Sequence, residues 1–304
     1  MRVREFIDTH SVFTYREFAV VHDGDVPSAA PTRDALLNQY IRAGRLVRVR
    51  RELYVTVPLG VGPAAAVTDP MAIAARMAVD AVLAYHTALE YHGAAYTIYS
   101  RVTYLTSIGQ RPFAFQDIMY APVPFPHVLV NGDRQNMMID EGFRGTTLVH
   151  VTSRERTLVD VLDRVGLSGG WEEAWRSLEM LSTLDLESVV TYAMTLANAT
   201  TIAKVGLFLE QHAEQLAVDN GVLERLRTRV PRGLHYADRG RASTGRLVEQ
   251  WHLIMPVTVL DRAGRKTGET EPRHSDGRRW RNRLPPRDPG EMRVATQPPA
   301  GPGR

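Results

Sequence analysis

The sequence predicts an α+β fold, with an N-terminal winged helix-turn-helix followed by a mixed α/β C-terminal domain. Residues 1–58 carry three amphipathic helical patterns and then an alternating, arginine-rich hairpin. Residues 69–260 carry short strand patterns between helical ones, which is typical of a small central sheet packed with helices. The uncharged stretch 59–68, rich in Gly and Ala, is predicted to be a linker.

Composition narrows the class of protein. A chain of 304 residues with 44% hydrophobic residues is long enough for about two domains with ordinary buried cores. The absence of cysteine excludes disulfides, zinc fingers and cysteine nucleophiles. The first ten residues carry charges where a signal peptide needs an apolar stretch, and no apolar run approaches the roughly 18 residues of a membrane span. We therefore expect a folded, cytoplasmic protein.

Charge is distributed unevenly along the chain. Nine basic and seven acidic residues give residues 1–60 a formal charge of +2. Ten basic and 18 acidic residues give residues 61–223 a charge of −8, and 18 basic and nine acidic residues give residues 224–304 a charge of +9. An acidic centre between basic ends predicts that any contact with a polyanion is made by the ends.

The first two helices are predicted from local patterns. An i, i+3, i+4 spacing of apolar residues, beginning at Val3, predicts a short helix over residues 2–9. Thr14 and Glu17 have the T-x-x-E spacing of a capping box, and Phe13 and Phe18 occupy the positions of a hydrophobic staple. These signals predict a second helix that begins after Thr14 and ends near residue 21.

A third helix is predicted from an N-cap at Thr32 to a C-terminal Gly44. One of its faces carries large apolar side chains: Leu36, Leu37, Tyr40 and Ile41. The opposite face carries side chains suited to reading DNA: Ala35, Asn38, Gln39 and Arg42. Asn and Gln bind adenine in a bidentate way, and Arg binds guanine or phosphate. An ordinary solvated helix face is the alternative interpretation.

The hairpin after this helix is the most arginine-dense part of the chain, with five arginines in residues 42–51. Alternation predicts one inward set of apolar side chains: Val47, Val49, Leu53, Val55 and Val57. Arg48 and Tyr54 then point outward, and the three-residue loop is Arg50, Arg51 and Glu52. The third loop position normally takes Gly in a left-handed conformation, which costs Glu52 about 1–2 kcal/mol. We expect either an irregular loop or a tip that contacts DNA less closely.

Three helices followed by a two-stranded wing form the winged helix-turn-helix plan, which places one helix in the major groove of DNA. Winged domains that bind protein rather than DNA are the alternative.

The C-terminal domain offers no recognisable catalytic motif. His86 and Glu90, four residues apart on a predicted helix, could supply two metal ligands, but no third ligand has suitable spacing. We interpret them as a hydrogen-bonded pair. Ser153 can cap a predicted helix. On that helix Asp160 lies four residues after Arg156, a spacing at which the two side chains can pair. The sequence contains no P-loop, G-x-S-x-G or H-E-x-x-H motif.

Several segments in order resemble the AbiEi family of bacterial antitoxins, the transcriptional regulators of type IV toxin-antitoxin systems. The resemblance covers about residues 5–260. The segments that carry it are FTYREF, LVRVRRELYV, DPMAIAARMAVDAVLAYHTALEYHG, VTSRERTLVDVLDRVGLSGGWEEAWRSLEML, AKVGLFLE and RLVEQWHLIMPV. The chain departs from the family at Glu52, where Gly is usual, and beyond about residue 261.

The resemblance implies two activities. The winged helix would bind inverted repeats in the operator DNA upstream of its own operon and repress it. The C-terminal domain, residues 69–260, would counteract a cognate toxin with a nucleotidyltransferase fold. The residues implied at the DNA are of two kinds: base-facing or phosphate-facing Thr32, Asn38, Gln39 and Arg42, and backbone-facing Arg45, Arg48, Arg50 and Arg51.

The family's C-terminal domain itself resembles an inactive nucleotidyltransferase-like fold. An active enzyme of this kind needs a Gly-Ser loop for the triphosphate and closely spaced carboxylates for magnesium. This chain has no Gly-Ser pair followed by Asp-x-Asp, so we expect no catalysis, cofactor or metal. Two alternatives stay open: a nucleotidyltransferase or kinase-like enzyme with an appended DNA-binding domain, and a ligand-sensing transcriptional regulator.

The C-terminal tail, residues 261–304, contains seven Pro, six Gly and 11 basic residues. With four large apolar residues it cannot bury enough surface to offset the entropy of ordering, so the composition predicts disorder. Nonspecific attraction to DNA and a purely solubilising role are both compatible with it.

Overall fold

Three helices and a three-stranded antiparallel sheet make up residues 3–57, which we call the N-terminal module. The computed structural model describes residues 3–24, 30–63, 68–238 and 245–263. The module contains α1 (Val3–Thr9), β1 (Val12–Thr14), α2 (Tyr15–Asp23), α3 (Ala30–Arg42), β2 (Leu46–Arg50) and β3 (Leu53–Thr56). Its sheet has the strand order β1-β3-β2, so β3 lies in the middle.

The local signals for α2 are confirmed. The backbone N–H of Glu17 donates to Oγ1 of Thr14 at 3.2 Å, and the N–H of Thr14 donates to Oε2 of Glu17 at 2.7 Å. The staple residues Phe13 and Phe18 are fully buried and stack with their ring centroids 6.1 Å apart. The capping box and the staple together fix where the chain enters α2.

The start of α3 corrects one prediction. Thr32 is not the N-cap, because the helix already includes Ala30 and Pro31, and Thr32 lies exposed within the first turn. Proline is tolerated in a first turn, where its missing N–H has no partner in any case. The predicted end is confirmed, since α3 stops at Arg42 and Gly44 has φ +69°.

The hairpin differs from its predicted register. Residues Arg51 and Glu52 form the loop, Arg50 pairs with Leu53, and the pairing shifts between Arg48 and Arg50. Tyr54, predicted to point outward, is buried and stacks on Phe13 of β1 at 5.8 Å. The sequence pattern did not indicate β1, and this strand is what makes β3 central. Glu52 adopts φ +63°, the left-handed conformation expected of the third loop position.

Both faces of the module sheet are buried, each in a different core. Phe13, Leu46 and Tyr54 pack with the module's own helices. On the other face four apolar side chains join a core that also contains residues 71–83 and 149–151: Val12, Val49, Leu53 and Val55. Three of the five side chains predicted as inward, Val49, Leu53 and Val55, therefore face the rest of the protein rather than α1–α3.

The larger part of the chain, residues 69–263, which we call the body, begins with a six-stranded mixed sheet. Its elements are α4 (Pro70–Ala74), β4 (Val82–Leu83), α5 (His86–Tyr91), β5 (Arg101–Leu105), β6 (Phe113–Phe115), β7 (Ile118–Val123), α6 (His127–Asn131), β8 (Ile139–Arg144) and β9 (Thr147–Thr152). The strand order is β6-β7-β5-β4-β9-β8, with β5 parallel to β7 and β4 parallel to β9. The four segments whose sequence pattern predicts strands, residues 101–107, 113–121, 136–143 and 146–152, all contain strands, and the two-residue β4 was not predicted.

Helices and a second, three-stranded sheet complete the body. The helices are α7 (Arg154–Asp163), α8 (Trp171–Glu179), α9 (Leu186–Leu196), α10 (Ala199–Gln211), α11 (Asn220–Arg227) and α12 (Val257–Ala263). The strands are β10 (His235–Tyr236), β11 (Gly245–Val248) and β12 (Leu253–Pro256), in the order β10-β12-β11. The sequence pattern predicts helices over residues 154–163, 186–196 and 200–216. The first two match α7 and α9, whereas α10 ends earlier, at Gln211. The predicted tail beyond residue 263 lies outside the described residues. The chain is thus a mixed α+β protein.

An ion pair inside the body links α7 to α9. Arg156 has no exposed surface, its Nε lies 3.2 Å from Oδ2 of Asp160, and the Tyr192 hydroxyl donates to Oδ1 of Asp160 at 2.7 Å. Arg156 also donates to the carbonyls of Gln135 and Met137 at 2.9 and 2.6 Å. The predicted pairing of these two residues is confirmed, but it lies in the core rather than on a helix surface.

We expect Arg156→Met to lower the free energy of unfolding by about 3–5 kcal/mol, because it leaves a buried carboxylate without its partner charge. Urea unfolding of the full chain measures this loss. Arg154→Met, an exposed arginine on the same helix, is the control and should change the free energy by less than about 0.5 kcal/mol. Equal losses in the two variants would contradict the importance of the buried pair.

Gly206 on α10 lies directly against Trp251, whose side chain is fully buried. A Cβ at this position would lie 2.1 Å from the indole ring. We expect Gly206→Ala to destabilise the protein by about 1–3 kcal/mol through overpacking, measured as a lower melting temperature. Gly166→Ala, where a Cβ meets nothing within 4 Å, is the control. An unchanged melting temperature for Gly206→Ala would show that Trp251 moves aside freely.

Candidate nucleic-acid interface

The outer face of α3 presents the side chains that the sequence predicts for base contacts. Asn38, Gln39 and Arg42 are exposed, while Leu37 on the opposite side is buried. Within the described part of the chain, none of the three polar side chains has a hydrogen-bond or ion-pair partner. Ala35, about one turn before Asn38 on the same face, is exposed as well. Periodicity at 100° per residue thus identified the free face of this helix correctly.

A guanidinium on the inner side of α3 holds this helix against α2. Arg33 donates to Oδ2 of Asp23 at 2.5 Å and to the hydroxyl of Tyr15 at 3.3 Å. The hydrogen bond from Arg33 to Tyr15 and the charge of Asp23 raise the pKa of the Arg33 guanidinium above its ordinary value. The orientation of the exposed face therefore depends on contacts that were not evident from the sequence.

Two hairpin arginines remain available at the surface. Arg48 is exposed on β2, and its Nε donates to the carbonyl of Arg50 at 3.3 Å. The Arg51 side chain is 87% exposed and lies 3.4 Å from Oε1 of Glu52. An exposed pair of this kind contributes little to stability, so Arg51 can turn toward a phosphate at small cost.

Two other arginines of the predicted set are engaged within the protein. Arg45 donates to Oδ1 of Asp8 on α1 at 2.6 Å, and its side chain is 22% exposed. Arg50, predicted at the loop tip, instead donates to the Met77 carbonyl and, at 3.3 Å, to Oε1 of Gln110 in the body. The tip placement of Arg50 was wrong because the register shift turns this side chain toward the body.

The contact between module and body also includes an ion pair. Nη2 of Arg76, after α4, lies 3.2 Å from Oε1 of Glu17 on α2. Glu17 therefore serves both the capping box and the docking of the module. All the described residues of module and body belong to one compact unit.

Arg16 is a basic residue of the module that the sequence predictions passed over. It lies exposed on α2, next to the capping-box Glu17, and faces a cleft between module and body. The capping box could have identified Arg16 as a surface residue. It fixes the start of α2 and so places Arg16 at the second helical position, on the side opposite the buried Phe18.

The His86 and Glu90 pair lies in a buried polar cluster. Nδ1 of His86 lies 2.9 Å from Oε1 of Glu90, and Nε2 lies 3.2 Å from Oε1 of Glu173. The ring of Tyr99 stacks on His86 with centroids 4.3 Å apart. Burial raises the pKa of Glu173, but hydrogen bonds from Thr97, His86 and Ser177 outweigh it and lower the pKa overall. Among the described residues the hydrogen bond of His86 goes from Nε2 to Glu173, and Nδ1 makes none despite its short distance to Glu90. The predicted hydrogen-bonded pair of His86 and Glu90 was therefore wrong, because Glu173, distant in the chain, provides the partner.

Among the described residues, no group of three or more His, Cys, Asp or Glu side chains is arranged to hold a metal ion. No helix in the described part of the chain has the length and apolar character needed to cross a membrane.

The fold is similar to that of a solved mycobacterial protein. The crystal structure of the RV2827C protein from Mycobacterium tuberculosis aligns with a TM-score of 0.56 and 14% sequence identity, over 86% of this chain and 93% of that one. At this identity the likeness concerns the fold alone. The chain matches no protein-family model and no curated protein.

Arg50 contacts the body, whereas its neighbour Arg51 is exposed, so substitutions at the two positions test the docking of the hairpin separately from its free surface. We expect Arg50→Met to lower the free energy of unfolding by about 1–3 kcal/mol, because the bonds to the Met77 carbonyl and Gln110 are lost. Arg51→Met, at an exposed position, should lower it by less than about 0.5 kcal/mol. Limited proteolysis provides a second measurement, since a loosened module exposes the buried residues Leu53, Tyr54 and Val55 of β3 to cleavage. Equal stability and equal cleavage rates would contradict the docking role of Arg50.

Proposed function

We propose that this protein is a DNA-binding antitoxin that represses its own toxin-antitoxin operon through the N-terminal module. The observation that carries the DNA-binding part is the free face of α3, where Asn38, Gln39 and Arg42 are exposed and lack partners within the described residues. Arg48 and Arg51 are exposed on the hairpin that follows the same helix. A helix with amide and guanidinium groups beside a basic hairpin suits the major groove and its flanking phosphates.

The module supports this proposal through its element order as well. Helix, strand, two helices and a hairpin, with the first strand added to the hairpin, correspond to the winged helix-turn-helix plan. In that plan α3 is the recognition helix and β2-β3 is the wing.

The contacts of the module reduce the set of residues proposed to touch DNA. Asn38 and Gln39 read bases, and Arg42 reads a base or holds a phosphate. Thr32, exposed in the first turn of α3, and the hairpin residues Arg48 and Arg51 hold the backbone. Arg45 and Arg50 act instead inside the protein, where their partners position the wing.

The antitoxin part of the proposal comes from the resemblance to the AbiEi family, which covers the body as well as the module. In this proposal the body counteracts a nucleotidyltransferase-type toxin encoded beside this gene. The formal charge of −8 over residues 61–223 suits a basic protein partner and repels DNA, which disfavours DNA contact by this part of the body.

Sequence-specific binding tests the repressor half. Fluorescence anisotropy compares the duplex upstream of the protein's own gene with a scrambled duplex at moderate salt. We expect Asn38→Ala or Gln39→Ala to lose about 1–3 kcal/mol of discrimination between the two duplexes, because a bidentate base contact disappears. Arg51→Ala should weaken binding to both duplexes alike and reduce the salt slope by about 1.

Asn131→Ala, an exposed position on α6 in the body, is the matched control and should leave both affinities unchanged. Equal affinity of the unaltered protein for the two duplexes would contradict the repressor proposal.

Co-expression tests the antitoxin half. The gene beside this one is induced in cells that express the full chain from an unrelated promoter, and growth is scored. We expect rescue by the full chain and by the Asn38→Ala, Arg42→Ala double variant, because neutralisation belongs to the body. Continued growth arrest with both proteins would exclude an antitoxin role against that neighbour.

A further inference from the structure

A cleft of about 850 Å³ lies between the N-terminal module and the body. The module contributes α2 and the wing tip to its walls, including Val20, Arg51 and Glu52. The body contributes residues 75–79, 108, 110, 148 and 150. A volume of this size is within the range of small-molecule sites in proteins.

The cleft combines exposed apolar side chains with a positive charge. Val20, Val79 and Ile108 line it and are 68%, 91% and 43% exposed. Four arginines and two glutamates also line it, which leaves a formal charge of +2: Arg16, Arg50, Arg51, Arg76, Glu17 and Glu52. Exposed valines beside arginines are suited to a ligand that has an apolar part and an anionic head.

Arg76 has an unsatisfied donor at this place. Its Nη2 is paired with Glu17, but its Nε is buried and has no hydrogen-bond partner among the described residues. A buried donor without an acceptor costs free energy, which a ligand oxygen recovers if the Arg76 side chain, 25% exposed, rotates to bring Nε to the cleft.

We propose that the cleft binds an amphipathic carboxylate, with the carboxylate at Arg51 and Arg76 and the apolar part against Val20, Val79 and Ile108. The DNA backbone is a poorer occupant, because it would leave these three apolar side chains against charged phosphates. The C-terminal tail is a poorer one as well, since residues 261–304 carry 11 basic and six acidic residues and would be repelled by a positive cleft.

Such a ligand would regulate DNA binding, a consequence that rests on the proposed function. Arg51 lines the cleft and is also a proposed phosphate contact. A bound carboxylate therefore withdraws Arg51 from DNA. The ligand weakens operator binding, and by linkage DNA weakens ligand binding by the same factor.

The binding test uses the full chain without DNA. Isothermal titration calorimetry compares decanoate with decanol, which lacks the charge, and with acetate, which lacks the chain. We expect decanoate to bind at least 10-fold more tightly than decanol and acetate to give no signal. Val79→Asp and Arg76→Met should each weaken decanoate binding at least 10-fold. Val128→Asp, at a 40% exposed position on α6 outside the cleft, should leave it unchanged.

Equal binding of decanoate and decanol, no binding of decanoate, or indifference to both cleft variants would overturn the proposal. A loss of DNA affinity in the cleft variants without any effect on decanoate would assign the cleft to the DNA backbone, which also overturns it. Because this titration contains no DNA, its outcome is independent of whether the protein is a repressor.

The regulatory step is tested with the upstream duplex. Saturating decanoate should lower the affinity for that duplex at least 5-fold, and Arg51→Met should remove this effect. If decanoate binds but the affinity stays constant, the site exists and does not regulate DNA binding.

Discussion

The sheet of the N-terminal module is buried on both faces, and this double burial determines which side chains of the module remain exposed. One face packs on α1–α3, and the other, with Val49 and Leu53, joins the core of the body. Because side chains alternate along a strand, neighbouring residues of the same hairpin enter different cores. The hairpin β2-β3 is thereby held by the body as well as by the module, and Arg50 reinforces this contact at the Met77 carbonyl. A hairpin packed on both faces in this way has a fixed direction relative to the body.

Sequence patterns correctly predicted the features of the fold that depend only on residues close together in the chain. The capping box at Thr14, the helix end at Gly44 and the left-handed Glu52 depend on a few neighbouring residues, and each is found where the pattern indicated. The free face of α3 was predictable for the same reason, because helical periodicity sorts its side chains before any partner is known. Most of the candidate site therefore follows from the sequence.

Apart from the local N-cap at Thr32, the failures have one cause, which is contact between residues distant in the chain. Tyr54 is buried because β1 pairs with β3, although 41 positions separate Tyr54 from its partner Phe13. Arg45 is engaged by Asp8 and Arg50 by Gln110, partners that no periodicity specifies. The two-residue β4 is too short to form a pattern, yet it lies between β5 and β9 and joins the two halves of the sheet. Counting charged residues along the sequence thus overestimates the charge that is free at the surface, because residues such as Arg45 and Arg50 are engaged within the protein.

The remaining exposed charge constrains how a winged-helix repressor of this kind could hold its operator. Arg42, Arg48 and Arg51 are the proposed phosphate-reaching cations, and three neutralised phosphates give a salt slope of about −3 per copy. Glu52 lies 3.4 Å from Arg51 and reduces even this attraction. In the proposed function the module's own nonspecific contribution is then small, and the formal charge of −8 over residues 61–223 opposes it further. Affinity of the module for an operator would come from base contacts by Asn38 and Gln39 and from two copies on an inverted repeat, and the second copy would double the slope to about −5 to −6. A module with so few free cations among its described residues would gain selectivity, because random DNA offers it little beyond the phosphates.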